Sequence, residues 1–327
     1  MKKTLISCVV CLVLFGSSNP TWAQPFNNIY AFGDSLSDGG NSSTAVLSIY
    51  KLINGCDVNH PCPPYFDGHF SNGYSAIEHL ANNILPGGAK DSNFKNYAVA
   101  GATTGIGNFG DQGNSTSTGL FGLPGMSQEI GLYLSTSFGS ADPNALYFVW
   151  GGANDFLTNN SPIAAAQNIS QYVYALANAG AKHIFVPNLP DLSLTPFVRS
   201  ISQEPLAQAF SVLFNSELNT RLNQLSAQTL STHIIQFDTF SFINNVAQHP
   251  DQYGFTDIQN ACLSSNLTVC AHPEQTIYWD DFHPTSYANS VIAQAFSQAI
   301  PEPAVVLLII LGLFIMSKFL NRQINSL

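Results

Sequence analysis

The segment Ala145–Trp150 reads ALYFVW, apolar at every position, and then breaks at once into Gly151-Gly152-Ala153-Asn154-Asp155. A strand with one face in water alternates apolar and polar residues, whereas an unbroken apolar run suits a strand covered on both faces, as in a parallel sheet. Shorter runs rich in aromatic and β-branched residues occur at Asn28–Phe32, Phe94–Ala100, Lys182–Val186 and His233–Phe237. Between them, apolar residues recur at helical spacing in Tyr74–Leu85, Met126–Leu134, Pro162–Ala179 and Glu204–Gln228; further helices are expected from Thr239 and over Ser286–Ala299. Strands alternating with helices predict an α/β fold, a three-layer α/β/α sandwich around a five-stranded parallel sheet. Gly101–Pro124, rich in Gly, Ser, Thr and Asn, is too long for an idle connection and is read as a loop around a site.

In open sheets of this kind, functional groups gather outside the carboxyl ends of the strands. Four polar clusters sit where that rule would place them: Gly33-Asp34-Ser35, Gly101-Ala102-Thr103, Gly151–Asp155 and Asp280-Asp281-Phe282-His283. Together they hold what ester cleavage needs. A serine hydroxyl becomes a nucleophile when an imidazole takes its proton, and a carboxylate must hold that imidazole in the right tautomer. Ser35 begins a turn after a strand, and Asp280 stands three residues before His283. The Ser35 and Gly101 N–H groups and the Asn154 amide are neutral donors for an oxyanion. Each cluster alone has a plainer reading, since a Gly-Asp-Ser turn, a glycine after a strand and an Asn-Asp helix cap are all common. In this order, at strand ends, they point to a serine hydrolase.

The four blocks resemble those of the GDSL esterases and lipases, also called SGNH hydrolases: GDSLSD (Gly33–Asp38), YAVAGATT (Tyr97–Thr104), WGGANDF (Trp150–Phe156) and DDFHPT (Asp280–Thr285). The resemblance extends from Asn28 to Ala299. It implies a flavodoxin-like sandwich, with Ser35 as nucleophile, His283 as base and Asp280 as orienting acid. It further implies Ser35, Gly101 and Asn154 as oxyanion donors, and no metal or organic cofactor. GDSLSDGGN, FSNGYS, NYAVAGATT and FVWGGANDF resemble the bacterial phospholipase/lecithinase/hemolysin branch, which implies acyl esters or lysophospholipids as substrates and admits acyl transfer. Deacetylation of a polysaccharide fits the same residues, and a catalytically idle surface adhesin on this scaffold is a further alternative. Calcium binding through Asp34, Asp38 and Asn41 is disfavoured, because the loop lacks the alternating oxygen ligands and closing Glu of an EF-hand.

Both ends of the chain read as addresses. Residues 1–23 have the form of a secretory signal peptide: Lys2 and Lys3, the apolar run Leu5–Phe15, and Thr21-Trp22-Ala23 before the cleavage point. Residues 301–327 run from Pro301-Glu302-Pro303 through apolar Ala304–Met316 to Lys318 and Arg322. That order resembles the PEP-CTERM sorting tail of Gram-negative bacteria, with a plain membrane anchor as the alternative. The expected location is secreted or at the cell surface, with export and sorting machinery as partners. Residues 24–300 then form the hydrolase domain. Between Gln24 and Pro303 there are twenty acidic and six basic residues, a net charge of about −14, which argues against nucleic acid as a partner. An exported chain favours disulfides, and local pairing would join Cys56 to Cys62 and Cys262 to Cys270. Zinc is the alternative, since His60 and His69 flank Cys62, but the spacing matches no common zinc module.

Overall fold

The structure, a computed structural model, describes residues 26–40, 64–229 and 231–300. The segments read as a signal peptide and a sorting tail, together with Asn41, His60 and the expected Cys56–Cys62 pairing, lie outside the described residues.

Five parallel strands form the main sheet: β1 (Asn28–Gly33), β2 (Phe94–Asn96), β3 (Ala145–Trp150), β4 (His183–Pro187) and β5 (His233–Phe237). Their order is β2-β1-β3-β4-β5, the flavodoxin-like arrangement in which strand order reverses between β1 and β3. β3 is central and buried at all six positions, which is why its sequence is continuously apolar.

The helices are α1 (Ala76–Ile84), α2 (Met126–Thr136), α3 (Ala153–Leu157), α4 (Pro162–Ala179), α5 (Pro196–Ser200), α6 (Glu204–Gln228), α7 (Thr239–Gln248) and α8 (Ser286–Ala299). Their starts follow from local chemistry. Ser161 caps α4 with Pro162 in its first turn, and the Thr285 hydroxyl accepts from Ala288 N–H to cap α8. One core packs Met126, Ile130, Val173, Phe214 and Leu218 of α2, α4 and α6 against Tyr147, Val149 and Ile184. The other packs Ile77, Leu80, Ile292 and Phe296 of α1 and α8 against Ile29, Phe148 and Phe185. Side chains alternate across each strand, so the sheet feeds both cores and the sandwich has three layers.

Two features of the sheets depart from the sequence reading. The strand expected over Phe94–Ala100 ends at Asn96. Tyr97 and Val99 N–H still donate to Ala31 and Gly33 carbonyls, but Ala98 N–H turns to the Asn96 side chain and Ala100 N–H to the Asp38 carboxylate. Polar side chains thus replace ladder partners and end the strand. A second sheet, β6 (Asp257–Ala261) paired parallel with β7 (Thr276–Tyr278), is additional to the expected elements: DIQNA carries little apolar patterning, and its pairing depends on a distant segment. Cys262 and Cys270 are joined by a disulfide next to it, their Cα atoms 4.8 Å apart. Trp279 and Leu263 pack beside this bridge.

Candidate active site

β1 and β3 are in register to their last residues, Gly33 beside Trp150. The contact is so close that a Cβ on Gly33 would fall 2.1 Å from the Trp150 carbonyl oxygen, so only glycine fits. Because both strands stop together, Asp34-Ser35 and Gly151–Asn154 emerge side by side at the point where strand order reverses.

A turn follows Gly33. The Asp34 carbonyl accepts from Ser37 and Asp38 N–H, and its carboxyl from Leu36 N–H. The Asp38 carboxylate then reaches across to Ala100 N–H (2.8 Å) and Gly40 N–H (2.9 Å). This tie holds the glycine block against the nucleophile turn, and Gly101 and Ser35 line one cleft. Gly101 has φ +80° and a Cβ there would lie 2.2 Å from Asn108 Oδ1. Among the described residues, no hydrogen bond from Ser35 or Gly101 N–H to a protein acceptor is formed, which leaves both donors for an oxyanion. Asn154 donates one amide hydrogen to the Ala102 carbonyl (3.0 Å); the other is free for the cleft that the side chain lines.

His283 arrives from the loop before α8. Its Nε2 lies 2.7 Å from Ser35 Oγ, and its Nδ1 lies 2.8 Å from the Asp280 carboxylate. With Nδ1–H donating to Asp280, Nε2 is the acceptor for the serine proton. The two side chains keep 13% and 15% exposure. Burial alone pushes the His283 imidazole down, but the neighbouring Asp280 carboxylate more than offsets it and raises the pKa above 6.5. Burial likewise raises Asp280, yet the His283 charge and hydrogen bond and the Phe282 and His283 N–H groups outweigh it, so its carboxyl lies below 3.8. Asp281 is exposed, and its carbonyl accepts from Phe197 N–H.

Several further residues support the site. Tyr65 OH donates to Asp280 Oδ2 (2.9 Å), and the Phe70 ring lies 5.2 Å from the His283 ring. Both belong to residues 64–75, which are pinned by His69: Nδ1 lies 2.8 Å from the Phe66 carbonyl and Nε2 2.9 Å from the Glu78 carboxylate. His69 is therefore engaged in a buried pair with Glu78. Among the described residues, no group of three or more His, Cys, Asp or Glu side chains converges as a metal site would. Beneath the nucleophile turn, buried Glu129 accepts from Gly33 N–H (2.8 Å) and Val99 N–H (3.2 Å). Buried Asp155 accepts from Thr104 N–H and hydroxyl, and so anchors the glycine block. Burial raises the pKa of Glu129, of Asp155 and of Asp34, the last to about 7.

The expected loop over Gly101–Pro124 contains one 3₁₀ turn, Phe109–Asp111, and closes on two buried residues. Asn108 donates to the Ala100 and Pro124 carbonyls, and the Asp111 carboxylate accepts from Phe121 and Leu123 N–H.

A family model described as GDSL-like lipase/acylhydrolase matches residues 29–296. The chain belongs to this family. As a GDSL hydrolase it is an ester-cleaving enzyme. It is 24% identical to the thermolabile hemolysin of Vibrio parahaemolyticus over 85% of this chain, and the match spans 65% of that relative's length. It is 29% identical to the phosphatidylcholine-sterol acyltransferase of Aeromonas hydrophila, over 81% of this chain and 74% of that one. A lipolytic G-D-S-L protein from Veillonella parvula aligns at TM-score 0.43 and 15% identity, over 83% of this chain and 96% of that one.

Proposed function

We propose that the protein is an exported serine hydrolase acting on carboxyl esters of acyl groups, lysophospholipids among them. The observation that carries this reading is the unbroken chain Asp280–His283–Ser35, at 2.8 and 2.7 Å. His283 Nε2 takes the Ser35 proton as Oγ attacks the ester carbon. The carbonyl oxygen becomes an oxyanion facing the Ser35 and Gly101 N–H groups and the spare Asn154 amide hydrogen. Collapse breaks the bond to the alcohol, which leaves with the proton from His283. Water then repeats the sequence on the acyl-enzyme, and Ser35 is regenerated. An alcohol in place of water would give acyl transfer, a course favoured by the likeness to the sterol acyltransferase. Export rests on residues 1–23 as a leader and 301–327 as a tail that is sorted or anchors the chain. A Cys56–Cys62 bridge would complete two local disulfides.

The test is labelling with a fluorophosphonate followed by peptide mapping. The adduct is expected on Ser35 and absent from Ser35→Ala, whose kcat should fall on the order of 10⁶-fold with Tm unchanged. Wild-type turnover with no adduct at Ser35 would overturn the reading.

A further inference from the structure

A second hollow, of about 500 Å³, lies outside the catalytic cleft, between α6 and the ends of β4 and β5. It opens at the same edge of the sheet, since its lining residues Asn188 and Asp238 directly follow β4 and β5. The start of α7 separates the two spaces: Thr239 and Phe242 line the cleft, Phe240 and Ser241 the hollow. None of the side chains that line the hollow takes part in the hydrolytic steps.

Its chemistry differs from that of the cleft. Gln236 Nε2 donates to Asn223 Oδ1 (2.9 Å), and Asn223 Nδ2 donates to Asn219 Oδ1 (3.2 Å). This relay from β5 to α6 fixes the planes of two lining amides. Gln236 Oε1 and the Asn219 amide hydrogens have no protein partner among the described residues, which leaves an acceptor at one end and donors at the other. Asn188 is oriented too, donating to Asp238 Oδ1 (2.9 Å) and accepting from Phe240 N–H (3.0 Å). Burial pushes the Asp238 carboxyl up, but bonds from Ser241 and Asn188 outweigh it and hold the group below 3.8. Val212, Leu218 and Phe240 supply apolar wall between these polar groups. Among the described residues that line the hollow, none is Lys, Arg or His. An anion would meet the Asp238 carboxylate without a counter-charge, and an acyl chain would strip water from the amides and return no hydrogen bond. A neutral sugar suits both surfaces. Each hydroxyl gives and accepts a hydrogen bond, which matches oriented amides and a carboxylate, and its C–H faces cover apolar wall.

We propose that this hollow binds a neutral oligosaccharide, at a site separate from Ser35 that holds the enzyme on a glycan while the cleft beside it works. The inference goes beyond the proposed function and does not depend on Ser35 as nucleophile.

The experiment is isothermal titration of the full chain with maltopentaose, cellopentaose, mannopentaose and chitopentaose, and with pentagalacturonate as an anionic control. At least one neutral probe is expected to bind with a Kd of about 1 mM or tighter, and the control to bind none. Ser216 lines the hollow at an exposed position, so Ser216→Trp should fill the space and abolish binding. Gln236→Ala and Asn219→Ala should each weaken it by roughly two- to tenfold, the scale of one net hydrogen bond. All three variants should turn over p-nitrophenyl acetate at the wild-type rate, and Ser35→Ala should bind the sugar as wild type does. No binding by any neutral probe, tighter binding of pentagalacturonate, or unchanged binding in Ser216→Trp with Tm intact would overturn the proposal. Binding lost in Ser35→Ala but kept in Ser216→Trp would place the sugar in the catalytic cleft and overturn it equally. Should Ser216→Trp fail to fold, the two alanine variants decide, and unchanged affinity in both sinks the site.

Discussion

Around Ser35, Gly101 and Asn154, buried carboxyl groups hold the backbone: Asp34 on Leu36, Asp38 on Ala100, Glu129 on Gly33 and Val99, Asp155 on Thr104. Around His283, the holding is done by side chains that come from far along the chain, Tyr65 on Asp280 and Phe70 against the imidazole. The first arrangement sets main-chain N–H groups, as an oxyanion site needs, and leaves little freedom. The second aims one ring. A rigid donor set and a base that need only point correctly respond differently to substitution, and that difference can be tested.

The base side should break most severely. Asp280→Asn presents an amide to Nδ1 and favours the wrong tautomer, with an expected loss on the order of 10⁴-fold in kcat; Asp281→Asn, at an exposed position, should change kcat by a few fold. Steady-state kinetics on one soluble ester, with a larger loss at Asp281, would reverse the assignment of the orienting acid. On the donor side, Asn154→Ala removes one of three donors and should cost about 10²–10³ in kcat, with KM nearly constant. A loss confined to KM would make Asn154 a ground-state binder.

A smaller effect is expected at Tyr65. Wild-type kcat/KM should rise with pH along an acid limb whose midpoint lies above 6.5, because imidazolium cannot accept the serine proton and the Asp280 carboxylate holds the imidazole pKa up. Tyr65→Phe withdraws a donor from that carboxylate and leaves more of its charge on His283. The limb should move to still higher pH with only a few-fold loss at its plateau. An unmoved limb would reduce Tyr65 to packing.

The smallest effect concerns stability on the donor side. Burial raises Asp34 from 3.8 to about 7. A folded pKa above the unfolded one contributes stability fully below 3.8, and this is lost as pH rises through about 7. The amide of an Asp34→Asn variant does not ionise, so the Tm of that variant minus that of wild type should become more positive across this window. A constant difference would mean that Asp34 keeps one charge state throughout.

The donor side was legible in the sequence because each of its groups lies within a few residues of a strand end. Once the apolar runs indicate a parallel sheet, Ser35, Gly101 and Asn154 are placed on one edge by the strands that precede them. Asp280 and His283 were legible as a local pair. Four things were not: the early end of β2, the β6–β7 sheet, the hydrogen bond of Tyr65 to Asp280 and the buried carboxyl at Glu129. Glu129 reads as an ordinary surface residue of an amphipathic helix, and Tyr65 as a loop aromatic. Their roles depend on partners 96 and 215 residues away, Gly33 and Asp280.

By itself, then, the sequence determined the layered α/β class and nominated the candidate catalytic groups, because side-chain period and chemical type are local properties of the chain. Only the tertiary structure decided which distant residues hold those groups still, and that a largely apolar cleft opens beside Ser35. Packing is settled by the shapes that meet between elements, and no short stretch of sequence contains both of the surfaces involved.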